Sequence, residues 1–262
     1  MTADPLADVL AILRPQALLA AEVSARGRWG LRFDASPDDL KFGFVAEGEC
    51  VIALRGRKPT TLRAGDVFLL GGAPPYVIAS DVSAPSQNAS AVLHRTGVVR
   101  LGSGKTKPVR VIGGRFALDP ANAHLLVRAV PPLVRIPAGD AAALRSVTQL
   151  LIDEVRSRHS ARGRALDQLA QLVLTYALRW LDSDGKTSGL LRALADAQIG
   201  AALRHIHATV EKGTSLPELA RIAGMSRATF AERFKALVGQ PPLAYAIEWK
   251  ISLAKDALRT TD

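Results

Sequence analysis

The chain has 262 residues, 48% of them hydrophobic and 22% charged, enough for one or two packed cores and unlike a disordered or collagen-like chain. Thirty-four Lys/Arg against 24 Asp/Glu leave a net charge of +10, which points to an anionic partner, nucleic acid first. The lone cysteine, Cys50, excludes an intramolecular disulfide, and no apolar run approaches the roughly 18 residues that a membrane span needs, so a cytoplasmic protein without a secretory leader is the expectation.

In chain order, an amphipathic helix is predicted over residues 5–13, with Leu6, Val9, Leu10 and Leu13 on one face. Short apolar runs at 41–46, 50–54, 67–70, 76–79 and 109–112 follow. They alternate with turn-forming stretches at 47–49, 55–57, 63–66, 71–75 and 113–114, the pattern of an antiparallel barrel or jelly roll. Beyond Pro137 the period becomes helical: Leu144, Val147, Leu151 and Val155 form one stripe, and Leu166, Leu169, Val173, Ala177 and Leu181 another. The short break at 157–163 makes these an antiparallel pair, available either to a second subunit or to cover their own barrel. A polar, glycine-bearing stretch at 182–189 reads as a linker. The expected organisation is an α+β multidomain chain. Its parts are a barrel over 1–137, a helical hairpin for dimerisation over 138–182, a linker over 183–196 and an all-α domain over 197–262.

Residues 214–239 carry the sharpest signal. Ser215 is placed to cap a helix whose first turn holds Pro217 and Glu218, with Leu216, Leu219, Ala220 and Ala223 as its apolar face. Gly224 supplies a left-handed stop, Met225 packs back, and Ser226 caps a second helix with Phe230, Phe234 and Leu237 inward. Gly239 and Pro241-Pro242 end it. Such a pair is a helix-turn-helix, whose second helix fits the DNA major groove. The expected DNA-contacting set is Ser226, Arg227, Ala228, Thr229, Ala231, Glu232 and Lys235. Arg227 and Lys235 would meet phosphates, and Ala228, Ala231 and Glu232 would face base edges. The bland alternative is a helical hairpin in a core. The positive charge does not decide between them, because 197–262 hold nine Lys/Arg minus six Asp/Glu, a net of only +3.

On residues 219–245, from Leu219-Ala-Arg-Ile-Ala-Gly-Met-Ser to Tyr245, the chain resembles the AraC/XylS family of bacterial transcriptional regulators, and 199–207 resemble that family's first DNA-domain helix. Asp4-Pro-Leu-Ala-Asp-Val-Leu, Trp29-Gly-Leu-Arg-Phe, Glu47-Gly-Glu-Cys, Ala64-Gly-Asp and Gly72-Ala-Pro are similar to the cupin-type sensor of one branch. The resemblance implies a regulator of transcription with a small-molecule effector in its barrel. Its partners would be double-stranded DNA, a second copy of the chain and, for an activator, RNA polymerase. It also implies two helix-turn-helix units, whereas this sequence reaches Asp262 before a second one. Residues 242–259 would be the joining helix, with Leu243, Ile247, Ile251, Ala254 and Leu258 as its buried stripe. A truncated form that dimerises without binding DNA is therefore an alternative reading.

Three further signals invite competing readings. Residues 102–106, Gly-Ser-Gly-Lys-Thr, imitate a phosphate-binding loop, but Val99 stands where its first glycine is needed and a turn and strand follow. Between Val82 and Leu118 lie Arg95, Arg100, Lys105, Lys107, Arg110 and Arg115 without a single acid, a run read as solvated loop and strand with an anion or DNA contact as the alternative. A cupin enzyme, an isomerase or dioxygenase, would need metal-binding histidines. Phe42-Gly43-Phe44 and Pro75-Tyr76 lack them, and His94, His124, His159, His205 and His207 are scattered, so neither a metal, a cofactor nor a catalytic residue is assigned. Phe33, Phe42, Phe44, Phe68 and Tyr76 are the candidates to line an effector cavity, or simply to fill the barrel. Arg32 or Arg55 would neutralise an anionic effector unless both are solvated. Cys50, beside Glu49, reads as a buried strand residue rather than a redox sensor.

Overall fold

The computed structural model describes Ala7, Leu10 and residues 15–93, 98–118, 123–127, 130–157, 159–183, 189–210 and 213–260. The helix expected over 5–13 lies outside the described residues apart from Ala7 and Leu10, as do His94 and Arg95. The chain divides into two compact bodies, residues 15–117 with 131–180, and residues 1–14 with 118–130 and 181–262.

The first body is built on eleven strands. They are β1 (Gln16–Ala25), β2 (Gly30–Phe33), β3 (Ser36–Glu47), β4 (Glu49–Leu54), β5 (Thr60–Arg63), β6 (Val67–Ala73), β7 (Tyr76–Ala79), β8 (Gln87–Asn88), β9 (Val98–Leu101), β10 (Val109–Ala117) and β11 (Val134–Ile136). They form a six-stranded sheet in the order β11-β6-β3-β10-β1-β9 and a five-stranded sheet in the order β5-β4-β7-β2-β8, the cupin-like architecture expected. A short helix, α1 (Ala89–Val92), interrupts the strands. Another, α2 (Ala123–Val127), precedes β11 and belongs to the second body, and α3 (Ala142–Arg156) and α4 (Arg162–Ser183) follow β11. The stripes Leu144, Val147, Leu151 and Leu166, Val173, Ala177 are buried within the isolated chain.

Two glycine-rich stretches expected as turns are strand instead. Gly71 and Gly72 lie inside β6, and Gly113-Gly114 lie inside β10. For Gly113 the reason is a close approach across the sheet. Gly43 pairs with both Gly113 and Phe68, and a Cβ on Gly43 would collide with the Phe68 ring and stand 3.0 Å from the Ile112 carbonyl oxygen. The strands are also longer than the apolar runs suggest, because β1 and the first half of β3 are rich in polar or small residues.

Buried polar groups tie this body together. Asp66, 2% exposed, accepts from the Arg63 and Ala138 backbone N–H groups and pairs with Arg135 at 2.8 Å, fixing the turn before β6 to β11. The preceding Gly65 has φ +88° and no room for a Cβ, which would stand 2.6 Å from that of Ala138, so the Ala64-Gly65-Asp66 motif is a structural joint. Arg110 is buried between Glu22 and Glu47, both at 2.6 Å, and Glu47 also faces Arg156 at 3.6 Å. Of the basic run, Arg100, Lys105 and Lys107 are solvated as expected, whereas Arg110 is this internal bridge. Residues 102–106 form a turn held by a 2.9 Å hydrogen bond from the Gly27 N–H to the Thr106 hydroxyl, with β10 following.

The second body contains, besides α2, the helices α5 (Gly189–Ala195), α6 (Ala197–Ala208), α7 (Leu216–Ile222), α8 (Arg227–Val238) and α9 (Pro242–Thr260). Within the stretch expected as a linker lies α5, which packs on α6 and α8 and buries Leu190 and Ala193. In α9 the expected stripe is reversed. Leu243, Ile247, Ile251, Ala254 and Leu258 are exposed, and Tyr245, Trp249 and Ser252 are buried. The larger aromatic faces win the inward side because they bury more apolar area and stack on α6: the His207 ring lies 3.8 Å from that of Trp249, and its Nε2 is 2.9 Å from the Tyr245 hydroxyl. Burial lowers the His207 pKa to about 4, so this imidazole is neutral at pH 7.

Candidate nucleic-acid interface and barrel cavity

Local capping sets both helices of the C-terminal pair. Ser215 accepts from the Glu218 N–H at 3.4 Å, and Pro217 sits in the first turn of α7. The connecting turn is Ala223-Gly224-Met225, where Gly224 takes φ +64° and the Met225 N–H returns to the Ala220 carbonyl at 2.9 Å. Ser226 accepts from the Thr229 N–H at 3.2 Å to start α8, and Gly239, at φ +90°, stops it. Phe230 and Phe234 are fully buried, their rings 5.6 Å apart, with Phe234 edge-on to Tyr245 at 6.0 Å.

That anchorage decides what α8 presents. Ser226, Arg227, Ala228, Thr229, Glu232 and Lys235 are exposed, and Ala231 is half-buried. At about 100° per residue, Ala228 and Glu232 stand opposite the two phenylalanines, and the exposed Ala236 continues their line. Ala236 is missing from the expected set, although its spacing of four from Glu232 is readable in the sequence. Arg233 is also exposed but spoken for: its guanidinium donates to Gln198 at 2.8 Å and to Asp196 at 2.7 Å. Burial alone would raise the Asp196 pKa, but the N–H groups of Ile199 and Gln198 together with Arg233 hold it below the usual carboxylate range. Asp196 caps α6, and Gln198 donates onward to the Ala223 carbonyl at 3.0 Å in the turn. One strut thus joins the start of α6, the turn and α8. Nothing in the sequence spacing signals it, because its partners lie 35 and 37 residues apart.

The first body holds a mostly apolar, partly open cavity of about 240 Å³. Phe33, Phe42, Phe68 and Tyr76 line it, together with Leu18, Trp29, Leu31 and Val111. Phe44 does not. It is buried on the other face of β3, since its neighbour Val45 joins the core cluster inside the barrel. Phe42 shares the face of Phe44 and borders the cavity while its ring packs on Phe116 at 4.6 Å. Arg32 and Arg55 are exposed and line no part of this cavity, so the anion-neutralising role expected of them has no support in the fold. The cations in its wall are Lys41 and Arg115, opposite one another in the β3–β10 register. Phe33 and Tyr76 stack at 4.5 Å, with the Lys41 ammonium 5.4 Å from the Tyr76 ring centre. An adjoining shallower depression shares Phe33, Lys41 and Arg115 and adds Asp34, Asp39 and Asn88.

Cys50 is buried, and burial, then Glu49 and Asp66, push its thiol up to about 12, so it carries no thiolate at neutral pH. Among the described residues no three His, Cys, Asp or Glu side chains gather as a metal site.

Comparison with known proteins places this architecture. A cupin family model matches residues 4–182. A Streptomyces antibioticus protein named as an AraC-like transcription regulator is 36% identical over 98% of this chain and 86% of its own length. A Streptomyces lividans protein of the same description is 35% identical over the same shares. The transcriptional regulator AlkR of Acinetobacter baylyi is 24% identical over 91% of this chain and 81% of its own. Among solved structures, ToxT of Vibrio cholerae aligns over 89% of this chain and 98% of its own at 9% identity, with a TM-score of 0.33. The AraC-like activator CuxR aligns over 77% and 62% at 14% identity, with a TM-score of 0.33. The chain belongs to the AraC-like transcription regulators that carry an amino-terminal cupin domain.

Proposed function

We propose that this protein is a cytoplasmic, non-enzymatic regulator that reads a specific DNA sequence with α8 and is controlled by a small molecule held in its barrel. The observation that carries the reading is the division of α8 into two faces. Phe230 and Phe234 fix one side, while Ala228, Glu232 and Ala236 form an open stripe flanked by Thr229 and Lys235. The small side chains admit close approach to base edges, and Glu232 offers acceptors to a cytosine amino group. Ser226 and Arg227 sit at the positive end of the helix, where a phosphate is favoured, and Lys235 supplies a second phosphate contact one turn from the C-cap. Ala231, half-buried, reaches the groove only at its edge.

The cavity supports the regulatory half of the proposal: it is lined from both sheets and apolar enough to hold an organic ligand. A ligand shifts the protein between arrangements only by binding them unequally. Two copies acting as a homodimer on paired half-sites would double the bases and phosphates read.

Selection of fragments from a random DNA pool by the intact chain, followed by titration at several salt concentrations, tests the reading. A common sequence motif and affinity that falls steeply with salt are expected, and Ala228→Glu should abolish both. Salt-insensitive or absent binding by the well-folded chain would overturn it.

A further inference from the structure

We propose that the ligand of the barrel is an amphipathic monocarboxylic acid, its apolar body inside the cavity and its carboxylate between Lys41 and Arg115. This rests on the reading of the cavity as an effector site and gives that site its chemistry. Lys41 is half-buried in the cavity wall, and among the described residues no carboxylate lies within 4.0 Å of its ammonium. Its neighbours are the rings of Tyr76 at 5.4 Å and Phe33 at 5.9 Å. Burial lowers its pKa most; Asp39 opposes that shift, Arg115 adds to it and Asp34 opposes it more weakly. A partly desolvated cation beside a second cation is an unfavourable arrangement that an anion between them relieves.

The acids nearby do not fill that position. Asp39 is turned to Arg115, at 3.4 Å, and Asp34 is exposed and accepts from the Asn88 amide at 3.3 Å. Arg115 pairs with Lys41 in register, so both side chains leave the sheet on one face and a single carboxylate can meet both. Its guanidinium is half-exposed, leaving donors beyond the one given to Asp39. The rest of the wall, including Leu18, Trp29, Leu31 and Val111, offers hydrocarbon and aromatic surface to the tail. A cavity of this size holds a ligand of about ten to a dozen non-hydrogen atoms. An organic ammonium would be drawn to Asp39 and Asp34 but repelled by both cations, and is the competing occupant.

The test uses the full chain, with octanoate, octan-1-ol and octylamine as probes and acetate as the headgroup control, followed by calorimetry and by tryptophan fluorescence, to which Trp29 in the cavity wall contributes. Octanoate is expected to bind at least about tenfold more tightly than octanol, with octylamine weaker still and acetate without effect. Lys41→Met should narrow the octanoate-to-octanol ratio to below about threefold by weakening octanoate, and Arg115→Gln serves as an independent second variant. Octylamine binding as tightly as octanoate, or a ratio untouched by both variants, overturns the proposal. Equal binding of all three headgroups keeps the cavity as a ligand site and removes the anionic anchor. No binding by any of the eight-carbon probes removes both.

Discussion

The proposed DNA reader, α7 with α8, and the barrel cavity reach their geometry by opposite routes. In the reader, each decisive feature comes from residues within a turn or so of one another: Ser215 with Glu218, Ser226 with Thr229, Gly224 between Ala220 and Met225. In the barrel, the wall is collected from Leu18 to Arg115, and its shape depends on which residues three neighbouring strands set side by side. A surface made by local capping keeps its form wherever its helix is anchored. A cavity made by register has no local copy of its instructions, and one added methyl group can change it.

The largest expected effect is on the reader's anchor. Phe234→Ala removes a fully buried ring and should cost about 3–5 kcal/mol, read as lost hydrogen-exchange protection across α6, α7 and α8. Retained protection there would mean that the caps alone hold α8, sharpening the contrast beyond what the packing suggests. For the cavity, Gly43→Ala should cost about 1–3 kcal/mol, because the new methyl must displace the Phe68 ring. Gly139→Ala, with nothing within 4 Å, is the control and should leave thermal stability unaltered. An unshifted melting temperature for Gly43→Ala would show that this glycine is not what lets the strands approach.

The reader should also be acid-sensitive. His207 is neutral when folded, with a pKa lowered from 6.5 to about 4, so the unfolded chain binds the extra proton between those values and stability rises with pH through that window. Lowering the pH from 7 to 5 should cost the helical body about 2 kcal/mol, a loss measured by denaturant titration and diminished in His207→Phe. The smallest effects concern exposed charges. Arg233→Ala should change stability by less than about 1 kcal/mol, since its side chain is 45% exposed, yet weaken sequence-specific DNA binding by loosening the strut to Asp196 and Gln198. Lys235→Ala should instead weaken binding to every sequence alike and reduce the salt slope by about one phosphate contact. Interchanged behaviour of these two variants would assign the phosphate contact to Arg233.

Legibility follows the same division. The caps, turn and inward phenylalanines of residues 214–239 are readable because each is a short-range steric or hydrogen-bonding demand. The exposed stripe of α8 follows from them, save Ala236. The aromatic lining is readable by type, but Phe44 is not part of it: it lies on the face of β3 opposite Val45, and of the two phenylalanines on that face only Phe42 borders the cavity. Lys41 and Arg115 look like any surface cations in the sequence: only the β3–β10 register brings them together, and nothing in their own neighbourhoods marks them. Leu243, Ile247 and Ile251 show the same limit. Their spacing marks an apolar face, but a second face with Tyr245 and Trp249 is available, and contact with His207 decides between the two.

What the sequence by itself determined is therefore the helix-turn-helix and the barrel class, since glycine conformations, caps and periodicity act within a few residues. The tertiary structure alone decided the strut through Arg233, the glycine-permitted approach of β3, β6 and β10, and the meeting of two cations at the cavity. Each of these is a contact between residues far apart in the chain, whose energy exists only once the strands and helices have been brought to the same place.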